Sequence, residues 1–131
     1  MILVDTCVVI WLAGDESSRH LSADALKAIT HGRALDGVAI SGITLYELAW
    51  LVKTKRTPIT TPLEEFLAEV ESLFVVLPID SSISRICMEL PSSYPTDPMD
   101  RIIGATALAH GIPLVTKNRL IRKSKAVPVI W

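Results

Sequence analysis

Short apolar runs alternate with helically spaced apolar stretches along most of the chain. Ile2-Leu3-Val4 is a run of the kind that forms a buried strand, and Val38-Ala39-Ile40 repeats the type. Phe74-Val75-Val76-Leu77 predicts a further strand closed by Pro78, and Pro113-Leu114-Val115 and Val127-Pro128-Val129-Ile130 predict the last two. Between the first two strands the pattern predicts a helix from Thr6 to Ala13, ended by Gly14. A second follows the N-cap candidate Ser22 through Ala23 to Ile29, with Gly32 and Gly37 bracketing a turn. A third helix holds Glu47 and Leu48, its apolar stripe continued by Leu51 and Val52. Pro58 and Pro62 mark the loop before a fourth, about Leu63 to Ser72, and Ser81 to Leu90 predicts a fifth. After the loop Pro91–Pro95, Asp97-Pro98 opens a strong helix to Ala109, stopped by Gly111 and Pro113. This alternation predicts an α/β fold: right-handed crossovers around a central, mostly parallel sheet with helices on both faces. No repeat or linker interrupts it, so residues 1–131 are expected to form one domain.

Composition narrows the class. Half of the residues are hydrophobic and 21% are charged, which suits a packed core and excludes a disordered chain. No apolar stretch approaches the roughly 20 residues needed to span a bilayer, and Asp5 follows Met1-Ile2-Leu3-Val4 too early for a signal peptide. No membrane association is therefore expected. Cys7 and Cys87 stand far apart without a CxxC pair, which argues against zinc and for a reduced, cytoplasmic protein. The net charge of −1 decides nothing about nucleic acid, but its distribution is uneven. Lys117, Arg119, Arg122, Lys123 and Lys125 crowd near the C-terminus, and Lys53, Lys55 and Arg56 form a second group. Either group could contact phosphates or be a solvated face.

The acids carry the candidate chemistry. Asp5 directly follows the first strand, where ligands bind in open α/β sheets, although Asp5 or Thr6 could equally cap the next helix. Glu47 follows Thr44 by three residues, which fits a capping box, yet that helix also starts at the same predicted sheet edge. Asp97 suits an N-cap, Pro98 the first helical position and Asp100 the positive end of the helix; the i, i+3 spacing also lets both carboxylates point at one spot. Each acid has a structural explanation. Their convergence needs another, because two unit charges 4 Å apart repel by roughly 4 kcal/mol at an effective dielectric of 20. Clustered carboxylates call for raised pKa values or a cation, and hard ions such as Mg²⁺ or Mn²⁺ prefer oxygen ligands. Such a site suits phosphodiester hydrolysis.

These residues resemble a PIN domain, in particular the VapC-like toxin nucleases of bacterial type II toxin–antitoxin pairs. The resemblance begins at Leu3-Val4-Asp5-Thr6 and continues through Ser41, Thr44 and Glu47-Leu48-Ala49 to Pro95-Thr96-Asp97-Pro98-Met99-Asp100-Arg101. It runs on through Ile102–Leu108 and Gly111–Thr116 to the ending Val127–Trp131. It implies a parallel sheet between helices, Mg²⁺- or Mn²⁺-dependent cleavage of RNA, inhibition by a cognate antitoxin, and a homodimer. Carried over by position, Asp5, Glu47 and Asp100 match the metal-binding acids, and Asp97 the additional Asp of the DPxDR subgroup. Thr6, Arg101, Thr116, Lys117 and Arg119 are expected on the substrate side.

One position departs from the pattern. Where the family usually shows Thr-x-Asp, this chain has Thr116-Lys117-Asn118. Asn118 can still offer a neutral amide oxygen to a metal, but with one charge fewer. A second reading is therefore an RNA- or antitoxin-binding module with weak or lost catalysis. A phosphate-accepting domain using Asp5 leaves no place for Glu47 or the Asp97/Asp100 pair. The Trp-bearing stretch Tyr46–Leu51 is expected either in plain core or in a groove for antitoxin or a second copy.

Overall fold

The computed structural model describes residues 1–14 and 17–131, and its element order keeps the expected alternation. Five strands form one sheet: β1 (Ile2–Val4), β2 (Val38–Ser41), β3 (Val75–Leu77), β4 (Leu114–Val115) and β5 (Val129–Ile130). Their order is β3-β2-β1-β4-β5 and every pairing is parallel. The helices are α1 (Thr6–Ala13), α2 (Ser17–His20), α3 (Ala23–Ala34), α4 (Gly42–Lys53), α5 (Leu63–Leu73), α6 (Ser81–Glu89), α7 (Pro98–His110) and α8 (Arg119–Ser124). Among the described residues no helix is long and apolar enough to cross a membrane.

The period-2 geometry of a strand divides the core into two layers. Ile2, Val4, Val38, Ile40 and Val115 point into one, with Val8, Ile29, Leu48, Phe66 and Val70 from α1, α3, α4 and α5. Leu3, Ala39, Leu77 and Leu114 point into the other, with Ile103 and Ala107 of α7 and Ile121 of α8. Leu3, Val4, Ile40, Leu114 and Val115 are fully buried, and burial of such side chains contributes about 1.5–3 kcal/mol each. This two-sided burial is why the strands appear as continuous apolar runs.

Several local expectations change. The turn expected between Gly32 and Gly37 is present at residues 35–36, closed by the Gly37 amide donating to the Gly32 carbonyl at 2.7 Å. The helix α3, however, runs through Gly32 to Ala34 before it, and Gly32 is buried where a Cβ would meet the Val38 side chain at 3.2 Å. The capping box at Thr44 does not form. Ser41 is the N-cap of α4, which places Thr44 inside the helix, fully buried and with no hydrogen-bond partner for its hydroxyl. The helices α2 and α8 were not anticipated. Of the expected caps, Ser22 accepts from the Ala25 amide, and Asp97 accepts from the amides of Met99 and Asp100.

Candidate active site

The sheet order puts β1 in the middle, with β2 on one side and β4 on the other. The chain leaves β1 and β4 in opposite lateral directions, which opens a crevice beyond their carboxyl ends. Asp5 follows β1, Asn118 lies three residues past the end of β4, and Asp100 lies in the first turn of α7. Glu47 comes from α4, which starts directly after β2. Asp5, Thr6, Glu47, Asp100, Lys117 and Asn118 line one cleft of about 300 Å³, together with Cys7, Trp11 and Ile103.

Hydrogen bonds fix the cleft's walls. Asp5 caps α1 by accepting from the Val8 amide at 2.9 Å, and the Thr116 side chain also hydrogen-bonds its carboxylate. Thr6, itself buried, donates from Oγ1 to Glu47 Oε2 across 41 positions of sequence. Asn118 serves two ends: its Oδ1 accepts from the amides of Leu120 and Ile121, and its Nδ2 donates to Asp100 Oδ2 at 3.1 Å. The buried pair Ser41 Oγ and Thr106 Oγ1, 2.9 Å apart, ties the start of α4 to α7 and so holds Glu47 near Asp100.

The electrostatics match the crowding. Burial raises the pKa of Asp5, helped by the charge of Glu47 and opposed by its hydrogen bonds from Thr116 and Val8. Burial pushes Asp100 up to about 6, assisted by the charges of Asp97, Glu47 and Asp5 and opposed by the Asn118 amide. Cys7 is exposed as a residue, but its thiol sits against the cleft wall, and desolvation there, followed by the charges of Asp5, Glu47 and Asp100, raises it to about 11. It is a protonated thiol at neutral pH, not a nucleophile. Among the described residues no Lys, Arg or His forms a salt bridge with Asp5, Glu47 or Asp100.

A pH dependence follows for the metal-free protein. The folded chain keeps protons on these carboxyls above the ordinary value of 3.8. Between about pH 4 and 6 the folded state binds more protons than the unfolded one, so its stability falls as pH rises through that window. Melting curves in EDTA should show this decline, and Asp100→Asn should flatten it. Equal slopes for parent and variant would refute the assignment to Asp100.

The donors present are three carboxylates, without His or thiolate, which fits a hard divalent cation; the Asn118 oxygen is already taken by the α8 cap. Among the described residues no three His, Cys, Asp or Glu side chains already converge on one ion; Glu47 is bonded to Thr6 and Asp100 to Asn118. The fit lies in the chemistry of the donors and their unrelieved repulsion.

Other expected site residues are placed differently. Asp97 is exposed and holds the α7 cap outside the cleft lining, acting on Asp100 through charge. Thr6 and Thr116 are buried, with hydroxyls directed at Glu47 and Asp5 instead of open substrate space. Arg101 is not free for a carboxylate or phosphate. Its guanidinium donates to the main-chain carbonyls of Pro95, Cys87 and Leu90 at 3.0–3.2 Å, binding the loop before α7 to the end of α6. Lys117 is exposed at the cleft, and Arg119 is exposed at the start of α8 and lines none of its wall. In the stretch Tyr46–Leu51, Leu48 is core, whereas Tyr46 and Trp50 face outward, 59% and 44% exposed.

Sequence reasoning gave no role to Trp11, which walls the cleft, or to Tyr94 and Gly104. Tyr94 is buried and donates from its hydroxyl to the Asp100 carbonyl at 2.9 Å, its ring pressed against Gly104. The one available signal was an isolated glycine inside a helical pattern, which marks close packing.

Comparison with known proteins agrees with this arrangement. The profile of the PIN domain matches residues 2–126. Ribonuclease VapC22 of Mycobacterium tuberculosis (strain ATCC 25618 / H37Rv) is 36% identical over 124 residues, covering 95% of this chain and 92% of that protein. Among solved structures, VapBC2 from Rickettsia felis bound to a promoter DNA fragment aligns with a TM-score of 0.75 at 16% identity, covering 98% of this chain and 97% of that one. A toxin–antitoxin complex from Klebsiella pneumoniae aligns with a TM-score of 0.68 at 24% identity, covering 100% and 97%. With an acid-lined cleft at the carboxyl edge of a parallel sheet, and a family match over nearly its whole length, this chain belongs to the PIN-domain family.

Proposed function

We propose that this chain is a toxin-type endoribonuclease of the cytoplasm, a single domain that hydrolyses RNA phosphodiester bonds with Mg²⁺ or Mn²⁺ and is inhibited by a cognate antitoxin. The observation that carries this reading is the convergence of Asp5 from the end of β1, Glu47 from α4 and Asp100 from α7 on one cleft, where among the described residues none of the three is in a salt bridge. The relative named as a ribonuclease and the neighbours solved as toxin–antitoxin complexes support it.

Asp5, Glu47 and Asp100 would hold the ion. Asn118, expected as a ligand through its amide oxygen, instead spends that oxygen on the α8 cap and turns its Nδ2 to Asp100, so it would position that carboxylate. When bound, the ion supplies Lewis acidity for water attack and for the leaving oxygen. The chain's own residues orient these ligands: Thr116 and the Val8 amide fix Asp5, Thr6 fixes Glu47, and Asn118 fixes Asp100. Lys117 at the rim offers a positive charge to the substrate phosphate. The outward pair Tyr46 and Trp50 provides apolar surface for antitoxin or for a second copy in a homodimer. RNA cleavage by the purified protein should stop in EDTA and return with Mg²⁺ or Mn²⁺. Cleavage at an undiminished rate in EDTA would sink the metal assignment.

Asn118 favours a second reading, an RNA- or antitoxin-binding module with weak turnover, because it spends its donor on Asp100 and adds no charge. Asn118→Asp should keep the α8 cap, remove that donated bond and add repulsion that only a cation relieves. Under this second reading both Mn²⁺ affinity and cleavage rate rise, the latter on the order of 10-fold or more. An unchanged rate would dismiss the reading.

A further inference from the structure

The acid cleft shares a wall with a second hollow. Cys7 and Trp11 line both, and from them the second hollow, about 250 Å³, extends past Gly14 to Arg56 and Pro58. These adjoining hollows make up a groove whose lining follows α1 from Cys7 through Ile10 and Trp11 to Gly14, from the carboxylates to the segment just after α4.

The charge along this groove changes sign. At the acid end Lys117 Nζ sits 5.8 Å from the centre of the Trp11 ring. At the far end Arg56 lines the hollow, its guanidinium 4.7 Å from the Trp50 ring. Lys53 and Lys55 are exposed nearby in sequence, and among the described residues none of these four cations is in a salt bridge. Trp11 is a stiff wall, stacked on His20 with centroids 4.9 Å apart and tilted against Trp131 at 6.3 Å.

A ligand matched to this profile carries negative charge along its length and presents one point of it to a cation held by the carboxylates. A basic peptide would meet Lys117 and Arg56 with like charge, and the Trp11 face that lines both hollows suits unpaired bases, which a double helix keeps stacked inside. We propose that the groove is the track for single-stranded RNA on one side of the scissile phosphate, with Lys117 and Arg56 contacting its backbone phosphates. This rests on the nuclease reading of the acid cleft and adds where the substrate strand lies. Cationic grooves with aromatic walls are how single strands are held without base readout.

The test measures binding in EDTA, where no cleavage is expected, using a fluorescent oligouridylate of roughly 12 nucleotides, near the upper range of single-strand site sizes. Arg56→Gln and Lys117→Gln should each weaken binding about 3- to 10-fold and reduce the salt slope by about 0.7 per lost contact. Lys27→Gln, exposed on α3 and lining neither hollow, should bind as the parent does. Cys7 gives an independent readout, since it is exposed and Cys87 is buried. Saturating RNA should slow alkylation of Cys7 under the conditions of the binding measurement. The track is overturned if both glutamine variants bind like Lys27→Gln. It is equally overturned if RNA leaves Cys7 alkylation unchanged, which would give the groove to a protein partner. Weakened binding by the variants in a protein that never cleaves would support the track while removing the nuclease reading, so the two fail separately.

Discussion

Asp5→Asn and Asp100→Asn should each lower RNA cleavage by on the order of 100-fold or more while leaving the protein folded. That factor corresponds to about 2.7 kcal/mol of transition-state stabilisation, the size lost when one preorganised electrostatic group is removed. Asparagine is nearly isosteric, and its Oδ1 can still accept from the Val8 amide that Asp5 caps. The change therefore removes charge and spares the cap. Removing charge also relieves desolvation and repulsion at both positions. In EDTA at neutral pH the variants should melt at or above the parent temperature, which separates lost chemistry from lost fold. Asp97→Asn is the informative contrast, because Asp97 is exposed and its carboxylate caps α7 outside the cleft. It should retain most activity. Single-turnover cleavage of one RNA by all three variants decides the matter; an Asp97→Asn loss as deep as that of Asp100→Asn would overturn the placement of Asp97.

What the sequence made legible follows from where burial is uniform. β1 and β2 were visible because both faces of each strand are covered, leaving no polar residue in Ile2-Leu3-Val4 or Val38-Ala39-Ile40. The helix α7 was visible because an N-cap, a Pro at the first position and a left-handed Gly111 all agree. The helix α8 was hidden because it is six residues long, basic, and buries only Ile121. Its N-cap is Asn118, a residue first considered for its amide oxygen as a ligand, whose capping role becomes evident only with the following turn in place.

The candidate site was legible as a set of acids and less so as a mechanism of support. Asp5, Glu47 and Asp100 share the predicted edge because helices in right-handed crossovers begin at the carboxyl ends of the strands. The identity of their supporters depended on contacts far apart in sequence, such as Thr6 with Glu47 and Asn118 with Asp100. Arg101 shows the limit most clearly. A guanidinium beside an acidic motif suggests phosphate or carboxylate, yet three carbonyls at a helix end and a loop satisfy it instead. No local pattern distinguishes the two fates, because the carbonyls come from Cys87, Leu90 and Pro95.

Gly104→Ala should be among the most damaging small changes in the chain, although helix propensity alone would favour alanine by about 1 kcal/mol. A Cβ at Gly104 would lie 2.1 Å from the Tyr94 hydroxyl, 2.6 Å from Cζ and 3.2 Å from Cε2. Tyr94 is 1% exposed, so its ring has no solvent to swing into. Relief requires moving the ring, which breaks its bond to the Asp100 carbonyl, or displacing α7 from the sheet. Overpacking of this kind costs about 1–3 kcal/mol or more, and the lost hydrogen bond adds about 1 kcal/mol. After the propensity gain, a net loss of about 1–3 kcal/mol or more remains, or roughly 5–10 °C in Tm for a domain of this size. Because Asp100 lies in the first turn of the same helix, cleavage should fall along with stability. The mechanism is tested by a double-mutant cycle with Tyr94→Leu, which removes the obstructing ring atoms. In that background Gly104→Ala should become neutral or stabilising, giving a coupling of about 2 kcal/mol or more between residues in direct contact. A Gly104→Ala single variant that melts at the parent temperature, or equal costs in both backgrounds, would show that the helix and not the tyrosine sets the requirement for glycine.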